Sequence, residues 1–152
     1  ILYKRFVLDV AHNPAAITKL ISALYTCFPG KKMHFFAGFA KDKDAGTCLR
    51  LLANAGELTC IGGDNPRLFV VEELFALAEA MNVQCSKSPF IDIELADPEA
   101  ICVICGSFSL MESGRRSIED WAIESGLTND GDRRCNFLDR ALTPKRRERS
   151  LL

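Results

Sequence analysis

This sequence predicts an α/β fold, Rossmann-like, with a mostly parallel sheet flanked by helices on both faces, and three observations carry that expectation. Continuous apolar runs recur at Phe6 to Leu8, Met33 to Phe36, Leu58 to Ile61 and Ala100 to Cys105, and unbroken runs mark strands buried on both faces. Segments with apolar residues at helical spacing separate the first three runs. The alternation of strand and helix is that of parallel strands joined through right-handed crossovers.

The first element is the run Phe6-Val7-Leu8, ended by Asp9. Val10 and Ala11 lead to His12, Asn13 and Pro14, where Asn is a favoured N-cap and Pro a favoured first helical residue. A helix is expected from Pro14, with Ile17, Leu20, Ile21, Leu24 and Phe28 on one face. Pro29-Gly30 is a turn signal, and a second strand follows from Met33 to near Gly38. The charged loop Lys41-Asp42-Lys43-Asp44 comes next, with Asp44 placed to cap a helix that Gly56 stops. Leu58 to Ile61 is the third strand, followed by the turn-rich stretch Gly62 to Arg67.

A third helix is expected near Val70, carrying Val71, Leu74, Phe75, Ala78 and Met81 on its apolar face. Val83 to Cys85 is expected as a brief strand. Ile91, Ile93 and Leu95 alternate with Asp92 and Glu94, which suits a strand or loop better than a long helix. Ala100 to Cys105 is the most apolar strand candidate. Gly106-Ser107 breaks it, and a strand or helix at Phe108 to Met111, a turn at Gly114, and a helix through Ile118, Trp121, Ala122 and Ile123 complete the folded part.

These elements divide the chain into an α/β domain over 1–126 and a polar, basic tail over 127–152 that is expected to be flexible. The tail's Lys145-Arg146-Arg147 and Arg149 could touch RNA or anionic lipid, but a solvated end is the simpler reading. At 152 residues and a net charge of −1, the chain is sized for one core, and nothing global argues for a nucleic-acid partner. No apolar run approaches the ~20 residues of a membrane-spanning helix. Of seven cysteines, Cys27, Cys48, Cys60, Cys102 and Cys105 lie in apolar patterns and are expected to be buried thiols. Their odd number and the lack of a signal peptide favour a reducing cytoplasm. The start at Ile1 suggests a piece of a longer protein.

The chemistry-bearing residues gather where open α/β sheets bind ligands, at the carboxyl ends of strands. Asp9 there could accept hydrogen bonds from ribose hydroxyls, and His12 beside a helix N-terminus could meet phosphate. Taken singly, both are also ordinary for a strand end and a surface loop. Cys102 and Cys105 do not suggest a metal site, because residues three apart on a strand point to opposite faces. No G-x-x-x-x-G-K-[ST] loop occurs anywhere, so nothing here would cradle the terminal phosphates of ATP.

Leu8 to Pro14 (LDVAHNP) resembles the D-x-A-H-N-P signature of the C-terminal domain of the folylpolyglutamate synthase and dihydrofolate synthase family, relatives of the Mur ligases. Ala37 to Asp44 (AGFAKDKD) resembles that family's G-x-x-x-D-K-D loop, and Val103 to Gly114 (VICGSFSLMESG) its late strand and following turn. The resemblance covers roughly the first 115 residues. It implies a ligase that uses ATP and Mg²⁺ to phosphorylate a pteroate or folyl carboxylate, which the amine of L-glutamate then attacks. It also implies roles. Asp9 and Asn13 would contact the nucleotide, His12 would serve catalysis near the phosphates, and Asp42, Asp44, Arg67 and Ser107 would shape the substrate side. An upstream P-loop ATPase domain of the same protein would bind most of the ATP and the metal, with no metal site in this domain, and the protein would act as a monomer.

Two rival readings stand beside this one. Asp64-Asn65-Pro66-Arg67 also resembles the amino-acid-recognition motif of the Mur ligase that adds diaminopimelate, where Arg meets a carboxylate. The chain could instead be a non-catalytic α/β interaction module that keeps the scaffold without the chemistry.

Overall fold

A computed structural model describes residues 2, 3 and 5–126 of the chain. Six strands, β1 (Leu2–Tyr3), β2 (Phe6–Asp9), β3 (Met33–Gly38), β4 (Glu57–Ile61), β5 (Ser86–Ser88) and β6 (Ile101–Gly106), form one sheet in the order β1-β2-β6-β3-β4-β5. β1 pairs antiparallel with β2 at one edge, and the other five strands are parallel. Four helices, α1 (Pro14–Cys27), α2 (Ala45–Ala55), α3 (Val71–Ala80) and α4 (Met111–Glu124), cover it. The 127–152 segment and its expected flexibility lie outside the described residues.

The apolar runs become the middle of the sheet, where every residue of β3 and β6 is buried. Alternate side chains of β6 feed two separate cores. Val103 and Cys105 join Phe35, Leu58 and Cys60 under α1, α2 and α3, which contribute Ile17, Leu24, Leu49, Leu52 and Leu74. Cys102 and Ile104 join Phe6, Leu8 and Phe36 on the other face, under Leu110 and Ile118 and the loop residues Ile91 and Ile93. Each such side chain contributes about 1.5–3 kcal/mol when fully buried. Cys102 and Cys105 therefore point to opposite faces, and no group of three or more metal-ligating side chains exists among the described residues. Among those residues, too, no helix is long and apolar enough to cross a membrane.

The second face is fastened by Arg5. Its guanidinium donates to the carbonyls of Asp97 and Ala100 at 3.1 and 3.2 Å, and lies 4.9 Å from the Phe6 ring centroid and 5.5 Å from that of Trp121. One side chain thus ties the loop before β6 to α4 through hydrogen bonds and cation–π contact.

Four local expectations are sharpened by the structure, three of them as corrections. Val83 to Cys85 is not a strand, because α3 ends in a Schellman motif. Asn82 takes φ 55°, and the Val83 amide donates to the Ala78 carbonyl at 2.9 Å. Val83 is spent closing the helix, so the strand begins only at Ser86. The sequence Ser-Lys-Ser has little strand character, yet it joins the sheet through a row of hydroxyl contacts. Buried His34 Nε2 lies 2.8 Å from Thr59 Oγ1, which lies 2.9 Å from Ser86 Oγ. Burial lowers the pKa of His34, although the Glu57 carboxylate 3.3 Å from Nδ1 acts against that shift.

Second, the segment with Ile91, Ile93 and Leu95 takes the loop form of the two that were expected, with one 3₁₀ turn at Ile93–Leu95 and Leu95 half exposed. Third, Gly114 is not a turn. It lies inside α4, and a side chain there would press within 3.2 Å of both Ile104 and Leu8. The glycine lets the helix lie close on the sheet, which sequence alone cannot distinguish from a break. Fourth, Cys27 is exposed, because it sits on the outer side of the last turn of α1.

Candidate functional site

The chain leaves β2 and β6 toward opposite faces, to α1 from β2 and to α4 from β6, although the two strands are neighbours with Asp9 in register with Cys105. Such a parting of connections opens a crevice at the carboxyl edge of the sheet. Asp9 and Ser107 flank that crevice, one on each strand end.

Local bonding fixes each candidate. The Asp9 carboxylate accepts from the Ala11 amide at 2.8 Å through Oδ1, which turns the chain out of the strand and leaves Oδ2 without a donor among the described residues. The His12 ring donates from Nδ1 to the Val10 carbonyl at 2.8 Å. That bond settles the tautomer and makes Nε2 the nitrogen that can meet another group. Asn13 takes the expected cap position, its side-chain oxygen accepting from the Ala16 amide at 2.9 Å. Only its amide NH2 is left for a ligand. His12 is exposed and Asp9 half-buried.

The neighbouring strand ends carry the remaining candidates. Asp44 caps α2, accepting from the Thr47 amide at 3.3 Å, and Asp42 lies 3.8 Å from Lys43 in an exposed ion pair. The Asp64-to-Arg67 loop folds back on the charged loop, a join invisible in the sequence. The Lys41 amide donates to the Arg67 carbonyl at 2.9 Å and the Phe69 amide to the Phe39 carbonyl at 3.0 Å, around a bridge between Ala40 and Leu68. Asp42, Asp44 and Arg67 thus belong to one paired loop unit at the ends of β3 and β4. The Arg67 side chain is exposed.

Ser107 joins the β6 end to β3, since its amide donates to the Gly38 carbonyl at 2.9 Å. Its hydroxyl lies 3.0 Å from that of Ser109. Beyond it, Arg115 pairs with Glu112 and Glu119, and Arg116 pairs with Glu112. Hydrogen bonding from Arg115 holds Glu112 down at about 2, so both arginines are engaged within α4. Two apolar residues on this rim are absent from the sequence-derived set, Val10 at 46% exposure and Phe108 at 80%. The signal for Phe108 is its place just after the Gly106-Ser107 break.

The rim is open. A cleft of about 570 Å³ lies at the opposite ends of the strands, lined by His34, Arg50, Glu57, Gln84, Cys85 and Ser86. It shares no residue with the candidate site.

Known proteins share this fold. Residues 3–108 match the family described as Mur ligase, glutamate ligase domain. Among solved structures, a Helicobacter pylori folylpolyglutamate synthetase superposes with TM-score 0.65 at 20% identity, over 79% of this chain and 31% of that one. A bifunctional folylpolyglutamate synthase/dihydrofolate synthase from Yersinia pestis, complexed with AMPPNP and Mn ion, gives TM-score 0.62 at 26% identity, over 78% of this chain and 30% of that one. E. coli FolC, in complex with DHPP and ADP, gives TM-score 0.57 at 21% identity, over 84% and 31%. The chain thus spans about a third of the length of these structures. No curated protein matches it in sequence. The match over residues 3–108 shows that this chain belongs to the Mur ligase glutamate ligase domain family.

Proposed function

We propose that this chain is the C-terminal domain of an ATP-dependent ligase that adds L-glutamate to dihydropteroate or folates. The observation that carries the proposal is the placement of Asp9 and His12 together where the β2 and β6 connections part. Phosphorylating the acceptor carboxylate makes it electrophilic, and glutamate's amine then forms the amide. Asp9 Oδ2 accepts from the nucleotide's sugar hydroxyls, and His12 Nε2 faces the charge that builds as phosphate is transferred and leaves. Arg67 offers a guanidinium to a carboxylate of glutamate, a pairing its planar fork suits. Ser107, Asp42 and Asp44 shape the surrounding loops.

The residues present fit a nucleotide's sugar edge, and they do not fit a metal, since the described residues hold no ligand cluster. Divalent metal and terminal phosphates are assigned to an upstream P-loop domain of a longer protein, in keeping with the share of each solved relative that this chain spans. Closure of that domain on the open rim completes the site and excludes water from the acyl phosphate. The whole acts as a cytoplasmic monomer.

Asp9→Asn in the full-length ligase tests this reading, because asparagine keeps the Oδ1 acceptor for Ala11 while removing the charge. Losing one charge-assisted bond costs on the order of 1.5–3 kcal/mol, so the KM for ATP is expected to rise roughly 10-fold or more. An unchanged KM and kcat would remove Asp9 from the nucleotide site.

A further inference from the structure

Away from the rim, two thiols meet at the edge of the sheet. Cys60 of β4 and Cys85, just before β5, have their Sγ atoms 3.8 Å apart, with the Cys60 thiol donating to the Cys85 sulfur. Cys60 is fully buried, whereas Cys85 is half-buried and lines the 570 Å³ cleft. The adjacent Thr59–Ser86 hydroxyl contact holds the two backbones side by side. Among the remaining described cysteines, Cys48, Cys102 and Cys105 are buried and Cys27 lies exposed on α1.

We propose that Cys60 and Cys85 are a reversible oxidation site, closing to a disulfide when a peroxide reaches Cys85 through the cleft. The thiolate of Cys85 attacks one peroxide oxygen, the O–O bond breaks, and the departing hydroxide takes the proton that Cys85 lost. Cys85 is then a sulfenic acid. The sulfur of Cys60 attacks the Cys85 sulfur, the S–O bond breaks, and hydroxide leaves with the Cys60 proton as a second water. Two thiols and one hydrogen peroxide become one disulfide and two waters.

The order of events follows from the contact. Cys85 is the sulfur an oxidant can reach, and the hydrogen bond from Cys60 favours its thiolate, although burial and the nearby Glu79 charge still raise its pKa. Burial pushes Cys60 up further, so it acts second. The raised thiols make the first step slow at neutral pH and faster as pH rises. Forming the bond closes the gap between the sulfurs from 3.8 Å to about 2.05 Å. The bond joins positions 25 residues apart, which restricts the unfolded chain.

The test uses the purified protein carrying Cys27→Ser and Cys135→Ser, which removes the exposed thiol of α1 and the one outside the described residues. After hydrogen peroxide the intact mass should fall by two hydrogens, and alkylation under denaturing conditions should then add two fewer adducts than in the reduced control. Peptide mapping should then join the Cys60 and Cys85 peptides, and dithiothreitol should separate them. Tm should rise by roughly 5 °C or more on oxidation. Adding Cys60→Ser should stop the reaction at a sulfenic acid on Cys85, and adding Cys85→Ser should leave Cys60 unoxidised. Alkylation of both cysteines after peroxide, or their separate oxidation without a link in the folded protein, would overturn the proposal.

Discussion

His12→Ala in the full-length ligase is expected to lower turnover by about 10²-fold or more while leaving ATP binding nearly intact, the range for a lost electrostatic stabiliser. The Nδ1 bond to Val10 and the Asn13 cap hold the imidazole in one orientation at the start of α1. Under the proposed function its Nε2 faces the charge that gathers as phosphate moves, and a group that meets this charge chiefly in the transition state changes kcat more than substrate binding. Alanine removes the ring without touching the cap, so thermal melting should be unchanged. Measuring nucleotide binding beside steady-state rates separates the cases. Collapsed binding with surviving turnover at saturation would make His12 a nucleotide anchor only.

Gly106→Ala is expected to cost about 3 kcal/mol or more of stability, because it adds backbone strain to a steric clash. Gly106 has φ 113°, a region that side chains rarely enter, and a Cβ there would land on the Gly38 carbonyl oxygen. That oxygen also accepts the bond from the Ser107 amide at 2.9 Å, so relief by moving β3 would break the join beneath the rim. The Gly114→Ala variant gives the contrast. Its clash is with side-chain ends of Ile104 and Leu8 at 3.2 Å, which can yield. Urea unfolding of both variants should therefore show a much larger loss of midpoint for Gly106→Ala, and equal losses would remove the special role of this turn.

The first strand end was fully legible because its signals are local: Asp9 stops an apolar run, Asn13 caps, and Pro14 starts the helix. The sheet and its two covered faces follow from the same kind of signal, since unbroken apolar runs leave no polar face for water. What the sequence concealed depends on partners distant in the chain. The pairing of Lys41 with Arg67 and of Phe39 with Phe69 makes one unit of two loops that look unrelated. Strand β5 is held by Thr59 and His34 rather than by its own Ser-Lys-Ser. Gly114 reads as a break in the sequence, yet it lies inside α4 where the helix rests on Ile104. Asp44 turned out to cap α2, as its place before that helix suggested, and this structural duty is sufficient to explain it.

On the function proposed above, Asp9, His12 and their rim form one face of a glutamate ligase that an upstream domain completes. The most direct measurement is release of ADP that depends on both L-glutamate and a pteroate or folate acceptor, compared between the full-length protein and this 152-residue chain. Coupled ADP release and amide formation are expected from the full-length protein, neither with diaminopimelate in place of glutamate, and neither from this chain alone. Turnover by the isolated chain, or a full-length protein that shows no glutamate-dependent release, would contradict it.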